Sequence, residues 1–201
     1  MPPVTPTVWT NSRKWLGNLL PAIFSFPFLA FGLFSMMRTG EAAGSGLIWL
    51  LIGTAGGWIA VNFLGLFPDR QMKRELKRIL EAKQIRVLDA PFVGIATPKF
   101  SSTLDPHEDV GFLQFHPEHL SFDSETRHIE LSRKRISKVG FKMNVHTLVG
   151  LGRWINLEGE VDGKTIRLLV EPRERRTLLG NLIYSKRLAQ RIRRWSSEAK
   201  H

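Results

Sequence analysis

Cysteine is absent from the 201 residues, which excludes a disulfide framework, a thiol nucleophile and a thiolate metal site. Acid is scarce: 18 Asp and Glu stand against 29 Lys and Arg, for a formal net charge of +11. The short signatures of common chemistries are also missing. There is no G-x-S-x-G nucleophile elbow, no G-x-x-x-x-G-K-[ST] phosphate loop and no H-E-x-x-H zinc frame. Apolar residues, by contrast, make up 43% of the chain, too many for a disordered segment. Their distribution is uneven, and the informative absence is that of charge along two long runs.

The first uncharged run extends from Trp15 to Met37 and the second from Ala42 to Pro68. A helix of about 20 mostly apolar residues crosses the hydrocarbon core of a bilayer. A chain this small cannot bury two such helices on all sides, so both read as transmembrane helices, over 15–37 and 45–68. The turn at 38–44 is short, which makes them an antiparallel hairpin. Arg13 and Lys14 precede the first helix; Arg70, Lys73, Arg74, Lys77 and Arg78 follow the second; the turn holds Arg38 opposed by Glu41. Positive charge stays inside. Both termini are therefore expected in the cytoplasm, with the tail 1–14 and everything after residue 68 on that side of a plasma membrane (the inner membrane in a Gram-negative cell).

The first run is longer than the apolar stretch of about 7–15 residues in a cleaved signal peptide, and a second span follows it, so an uncleaved anchor is expected. Pro21 and Pro27 each remove a backbone donor and are expected to bend the first helix. Trp15, Trp49 and Phe67 fall near the membrane boundaries. Gly53 and Gly57 are four residues apart, a spacing that lets helix backbones approach. Two readings are open: self-association of two chains, or packing of the second helix on the first. Asn18 and Asn62 are the strongly polar residues of the spans and lie near their cytoplasmic ends. No acid, base or histidine lies within the spans, so no transport pathway or membrane-embedded catalytic site is expected.

Residues 69–84 place Met72, Leu76, Ile79 and Leu80 on one stripe of a helix and basic residues elsewhere. Such a helix could lie on anionic headgroups, act as a stalk, or pack on its own domain. Short alternating runs follow, reading as strands: PFVGIAT (91–97), GFLQF (111–115), HLSF (119–122), RHIELS (127–132), ISKVGFK (136–142), RWINLEGEV (153–161) and KTIRLLV (164–170). Asp162 and Gly163 form a strong hairpin signal between the last two. Leu178, Leu182, Leu188, Ile192 and Trp195, with Leu179, Ile183 and Ala189, mark a final amphipathic helix. Gly180 and Asn181 weaken its first turns and suggest a later start. About seven antiparallel strands closed by one helix indicate a mainly-β barrel or sandwich over 85–201.

The stretch Val110–Phe122, then His128–Leu131, then Ile136–Val139, together with the closing strand pair and helix from Trp154 to Trp195, resembles the core of GRAM and bacterial pleckstrin-homology-like domains. The resemblance covers roughly 85–197 and implies a PH-like barrel capped by a C-terminal helix. That fold hosts lipid-binding, peptide-binding and scaffolding members. Its phosphoinositide-binding members carry Lys and Arg in the first strand–strand loop. Here the corresponding stretch, 97–111, holds Asp105, Glu108 and Asp109 against Lys99, which speaks against that pocket.

The cytoplasmic charge is unevenly spread. Residues 69–86 carry a net +4, residues 87–172 a net −2 and residues 173–201 a net +7. Candidate phosphate contacts are therefore Lys73, Arg74, Lys77 and Arg78, then the strand-connecting cluster Arg133, Lys134 and Arg135. The basic tail residues Lys186, Arg187, Arg191, Arg193 and Arg194 either face the bilayer or form a solvated surface. No nucleic-acid module is recognisable, and nucleic acid is not expected as a partner. Histidines stand at 107, 116, 119, 128 and 146; of these His116 and His119 flank Pro117 at a predicted turn and are expected to be solvated, not metal ligands. Asp105, Glu108 and Asp109 lack the spacing of a calcium loop. No metal or cofactor is implied, and the chain is not expected to be an enzyme. The expected role is a domain held at the membrane to bind anionic headgroups or a protein partner. The alternative is an assembly subunit of a larger membrane complex.

Overall fold

In a computed structural model of the chain, residues 6–39, 44–98, 106–144, 147, 150–161 and 164–198 are described. Lys99, Asp105, His146, the Gly40–Glu41 part of the turn and the Asp162–Gly163 hairpin lie outside them, as does the side chain of Asn18.

Two long apolar helices come first. α1 spans Asn11–Thr39 and contains both Pro21 and Pro27; α2 spans Ser45–Leu64. They pack against each other along small residues. A Cβ on Gly53 would stand 3.0 Å from Leu29, and one on Gly57 2.6 Å from the Ser25 hydroxyl. These two glycines therefore face α1 of the same chain. On α1, Phe28 and Phe31 set their rings against Trp49. Most other large side chains of the hairpin point outward: Phe24, Phe26, Phe34, Leu51, Ile59 and Phe63 are all more than half exposed. Both helices are long and apolar enough to cross a membrane.

α3 (Asp69–Ala82) follows after a four-residue turn. Its stripe Met72, Leu76 and Leu80 is fully buried, packed with Phe92, Val110 and Phe112 of the sheet and with Val8 and Trp9 from the segment before α1. Of the three readings of this helix, the structure shows packing on its own domain. The helix that follows the hairpin thus turns its apolar face towards the sheet.

The seven strands are β1 (Phe92–Ala96), β2 (Asp109–Phe115), β3 (His119–Ser124), β4 (His128–Ser132), β5 (Ile136–Lys142), β6 (Trp154–Val161) and β7 (Lys164–Pro172). They form one antiparallel sheet in the order β4-β3-β2-β1-β7-β6-β5. Central β1 is buried along its whole length because both faces are covered. One face packs Val93, Ile95, Leu113, Phe122, Ile155 and Val170 against Leu188, Ala189 and Ile192 of the last helix, α4 (Leu178–Ser197). The other face receives α3 and the N-terminal segment.

α4 begins at Leu178, earlier than Gly180 and Asn181 suggest, because its first turn is held from outside. The Thr177 hydroxyl caps the N–H of Gly180 at 3.0 Å, and Asn62 Oδ1, from the end of α2, accepts the N–H of Leu179 at 2.9 Å. The Asn181 side chain joins both backbone groups of Arg175. Leu179 and Ile183 depart from the expected apolar face: both are exposed, while Asn181 and Ser185 take the buried positions.

Candidate functional site

The end of the hairpin is attached to the sheet domain through a buried polar chain. Asp69, the first residue of α3, receives two N–H groups of Arg173: Nε at 3.0 Å and Nη2 at 2.7 Å, both to Oδ1. The side chains are only 5% and 3% exposed. Arg173 also lies over the Trp9 ring, 4.8 Å from its centroid. Its Nη1 reaches His107 Nδ1 at 3.2 Å. A guanidinium only donates, so Nδ1 accepts and the imidazole proton is assigned to Nε2, which stands 3.0 Å from Glu171 Oε2. Glu171 in turn accepts from Asn144.

His107 is thus a buried core residue. The reason is Gly94: a Cβ on that β1 residue would overlap the imidazole, and only glycine leaves the space. Nothing in the sequence pairs residues 69 and 173, which are 104 positions apart.

A second polar ladder crosses the outer face of β2, β3 and β4. Gln114 and Ser121 both donate to Asp123 Oδ2, at 2.9 and 2.8 Å, and His128 Nδ1 meets Oδ1 at 2.6 Å. His116 contacts the Ser121 hydroxyl and stacks on His119 at 4.3 Å. Burial pushes the Asp123 carboxyl up, but bonds from Gln114, Ser121 and His128 outweigh it and hold it below the usual range. Hydrogen bonds to Asp123 and Glu130 raise His128. With its one proton given to Asp123, the Ser121 hydroxyl faces His116 Nε2 as an acceptor. Among the described residues no group of three His, Asp or Glu side chains is arranged to hold a metal ion.

Glu108 and Asp109, the described acids of the stretch 97–111, are engaged internally. Glu108 binds Arg127 at 2.6 Å and the Thr97 hydroxyl at 3.0 Å. Asp109 is buried against Ser124, and that burial raises its carboxyl despite three hydrogen bonds.

The candidate phosphate contacts divide into two groups far apart. On α3, Lys73 bonds to Glu174 and Lys77 stands 3.8 Å from Glu81, while Arg74, Lys77 and Arg78 are exposed. Lys73 and Lys77 border a cavity of about 360 Å³ between α3 and α4, with Arg175 and Arg191 opposite them. The second group forms a single 3₁₀ turn at Arg133–Arg135 after β4. Arg133 serves the fold there: it donates to the Trp195 and Pro117 carbonyls and lies 5.2 Å from the Trp195 ring centroid. Lys134 and Arg135 are exposed. Glu174 lies just before α4 and Trp195 near its far end, so the rise of the helix separates the groups by about 25 Å. They do not converge on one ligand.

Arg70, Arg175 and Arg176, missed at the sequence level as a set, stand with Lys73 around a second cavity of 240 Å³ at the end of α2. Their proximity depends on Asn62 and Asp69 drawing the start of α4 against the hairpin, which no local pattern encodes. A comparison of the chain with known protein families, curated proteins and solved structures gives no match.

Proposed function

We propose that the chain is a non-catalytic integral membrane protein that holds a PH/GRAM-like domain against the cytoplasmic face of the plasma membrane, where the domain binds anionic headgroups. The hairpin supplies the anchor, with α1 and α2 crossing the bilayer and both termini in the cytoplasm. One observation carries this reading: two helices whose large apolar side chains face outward lead directly into a domain whose basic residues gather at their exit. Two features support it. Val8 and Trp9 before α1 and Met72 after α2 pack into the same core, as a hairpin entering and leaving on one side requires. The strand order and the closing helix agree with a PH-like arrangement in general shape.

The test is extraction and topology. The full chain should resist alkaline carbonate and require detergent for release. External protease on spheroplasts should leave the sheet domain intact. Release without detergent, or external cleavage of the C-terminal half, would overturn the reading.

A second reading, an assembly subunit of a membrane complex, has one observation in its favour. β5 pairs only with β6 among the described strands; Arg193 of α4 donates to its Val139 carbonyl at 3.1 Å, and beyond that point exposed Phe141 and Met143 leave the end of its outer edge to a partner's strand. A stoichiometric partner that crosslinks to β5 in native membranes would select it.

A further inference from the structure

We propose that the crease between the end of α2, the start of α3 and the turn before α4 is a binding site for the headgroup of one anionic phospholipid. This rests on the membrane reading above and goes further by naming a discrete site. The crease encloses 240 Å³. One wall is apolar: Phe63 and Phe67 are 58% and 65% exposed, and Leu66 lies behind them. The other wall is basic, made by Arg70, Lys73, Arg175 and Arg176.

Two acids also line it, and both are engaged. Asp69 is bound by the Arg173 guanidinium, and Glu174 by Lys73 and by the Phe92 N–H at 3.0 Å. Arg70, Arg175 and Arg176 are exposed, so the charge offered to a ligand is of one sign. A free anion would have no use for the aromatic wall, and an apolar ligand none for the arginines. A phospholipid has both parts in this order. Its acyl chains would lie along Phe63 and Phe67, and its phosphate would meet the guanidiniums, which form charge-assisted, often bidentate bonds to phosphate.

The depth agrees. The 20 residues of α2 span about 30 Å, the thickness of the hydrocarbon core, which puts Phe67 at the boundary and Arg70 one turn beyond. Leu179, whose N–H is held by Asn62 in the last turn of α2, is exposed beside that helix.

The test uses the full chain in a neutral detergent, with thermal unfolding followed by tryptophan fluorescence. Dioctanoyl phosphatidylglycerol is titrated beside dioctanoyl phosphatidylcholine and inorganic phosphate at matched ionic strength. Phosphatidylglycerol should raise the Tm saturably and the other two should not. R70Q/R176Q should raise the half-saturating concentration about thirtyfold, at the weight of one surface cation per arginine. K134Q/R135Q removes the same charge far from the crease and should leave it unchanged. F67A should weaken binding with no change of charge.

Equal weakening by the two charge pairs would overturn the site while leaving general attraction to an anionic surface standing. An equal response to inorganic phosphate would overturn the lipid as its occupant. No response to phosphatidylglycerol would overturn the site alone, whereas a chain that needs no detergent would overturn the membrane reading beneath it.

Discussion

Arg173 and Asp69 illustrate how strongly one buried contact can depend on its partner. Replacing Arg173 by Gln leaves the Asp69 carboxylate at 4% exposure without its counter-charge. Removing one member of a buried pair costs about 3–5 kcal/mol. R173Q should therefore lower the unfolding free energy of the detergent-solubilised chain by that amount, whereas exposed R176Q should stay within about 0.5 kcal/mol of the parent.

His128 gives a pH signature. Its native value is raised, so its contribution is complete below its ordinary 6.5 and fades as pH rises through the raised value. Asp123 is depressed, so its contribution is complete above 3.8 and fades as pH falls through the lowered value. Both are whole between pH 3.8 and 6.5. The His128 ring is 55% exposed, so solvent screening reduces the effect to about 0.5 kcal/mol. The stability difference between the parent and H128A should be largest in that window and shrink above neutrality. A difference that grows with alkalinity would contradict the assignment.

At the scale of elements, the join between α2 and α4 depends on Asn62. N62A leaves the Leu179 N–H without its cap and should cost about 1 kcal/mol, seen as faster hydrogen exchange in the first turn of α4. On the opposite side of α2, a Cβ on Gly53 already stands 3.0 Å from Leu29, so G53L should wedge the hairpin apart. Disulfide crosslinking between cysteines placed on α1 and α2 should then fall.

The strands were legible in the sequence as short apolar or alternating runs between turn residues, and the observed Ile136–Lys142 coincides with the expected run. The amphipathicity of α3 was equally plain, but a stripe of Met72, Leu76 and Leu80 looks the same whether lipid or a sheet covers it. What covers it depends on Phe92, Val110, Phe112 and Trp9, brought there by tertiary folding. The same holds for His107, whose burial follows from a missing side chain on Gly94. The basic residues of α3 were visible as a charge run. Their division from Arg133–Arg135 was not, because only the length of α4 sets the two apart.

For the whole molecule, the hairpin and the domain form one mechanical unit. Arg13 of α1 pairs with Glu75 of α3 at 2.7 Å, and Asp69 with Arg173 at a comparable distance, so the hairpin meets the domain at more than a single hinge. Tilting of the helices is therefore expected to move the sheet with them. Trp9 completes the core on the outer face of the sheet, donating to the His107 carbonyl as it does so. W9A should destabilise the distant domain by about 3 kcal/mol, although position 9 precedes the first helix.

The placement of Thr7, Val8 and Trp9 also orders events during biosynthesis. Thr7 and Val8 reach across to Glu125, residues that leave the ribosome more than a hundred positions apart. The outer core therefore closes only after both apolar helices have been made and the early segment has waited beside the emerging strands. A bulky tag fused close to Thr7 should hinder that closure, and an excised fragment beginning at Asp69, which keeps α3, should be insoluble for want of Val8 and Trp9.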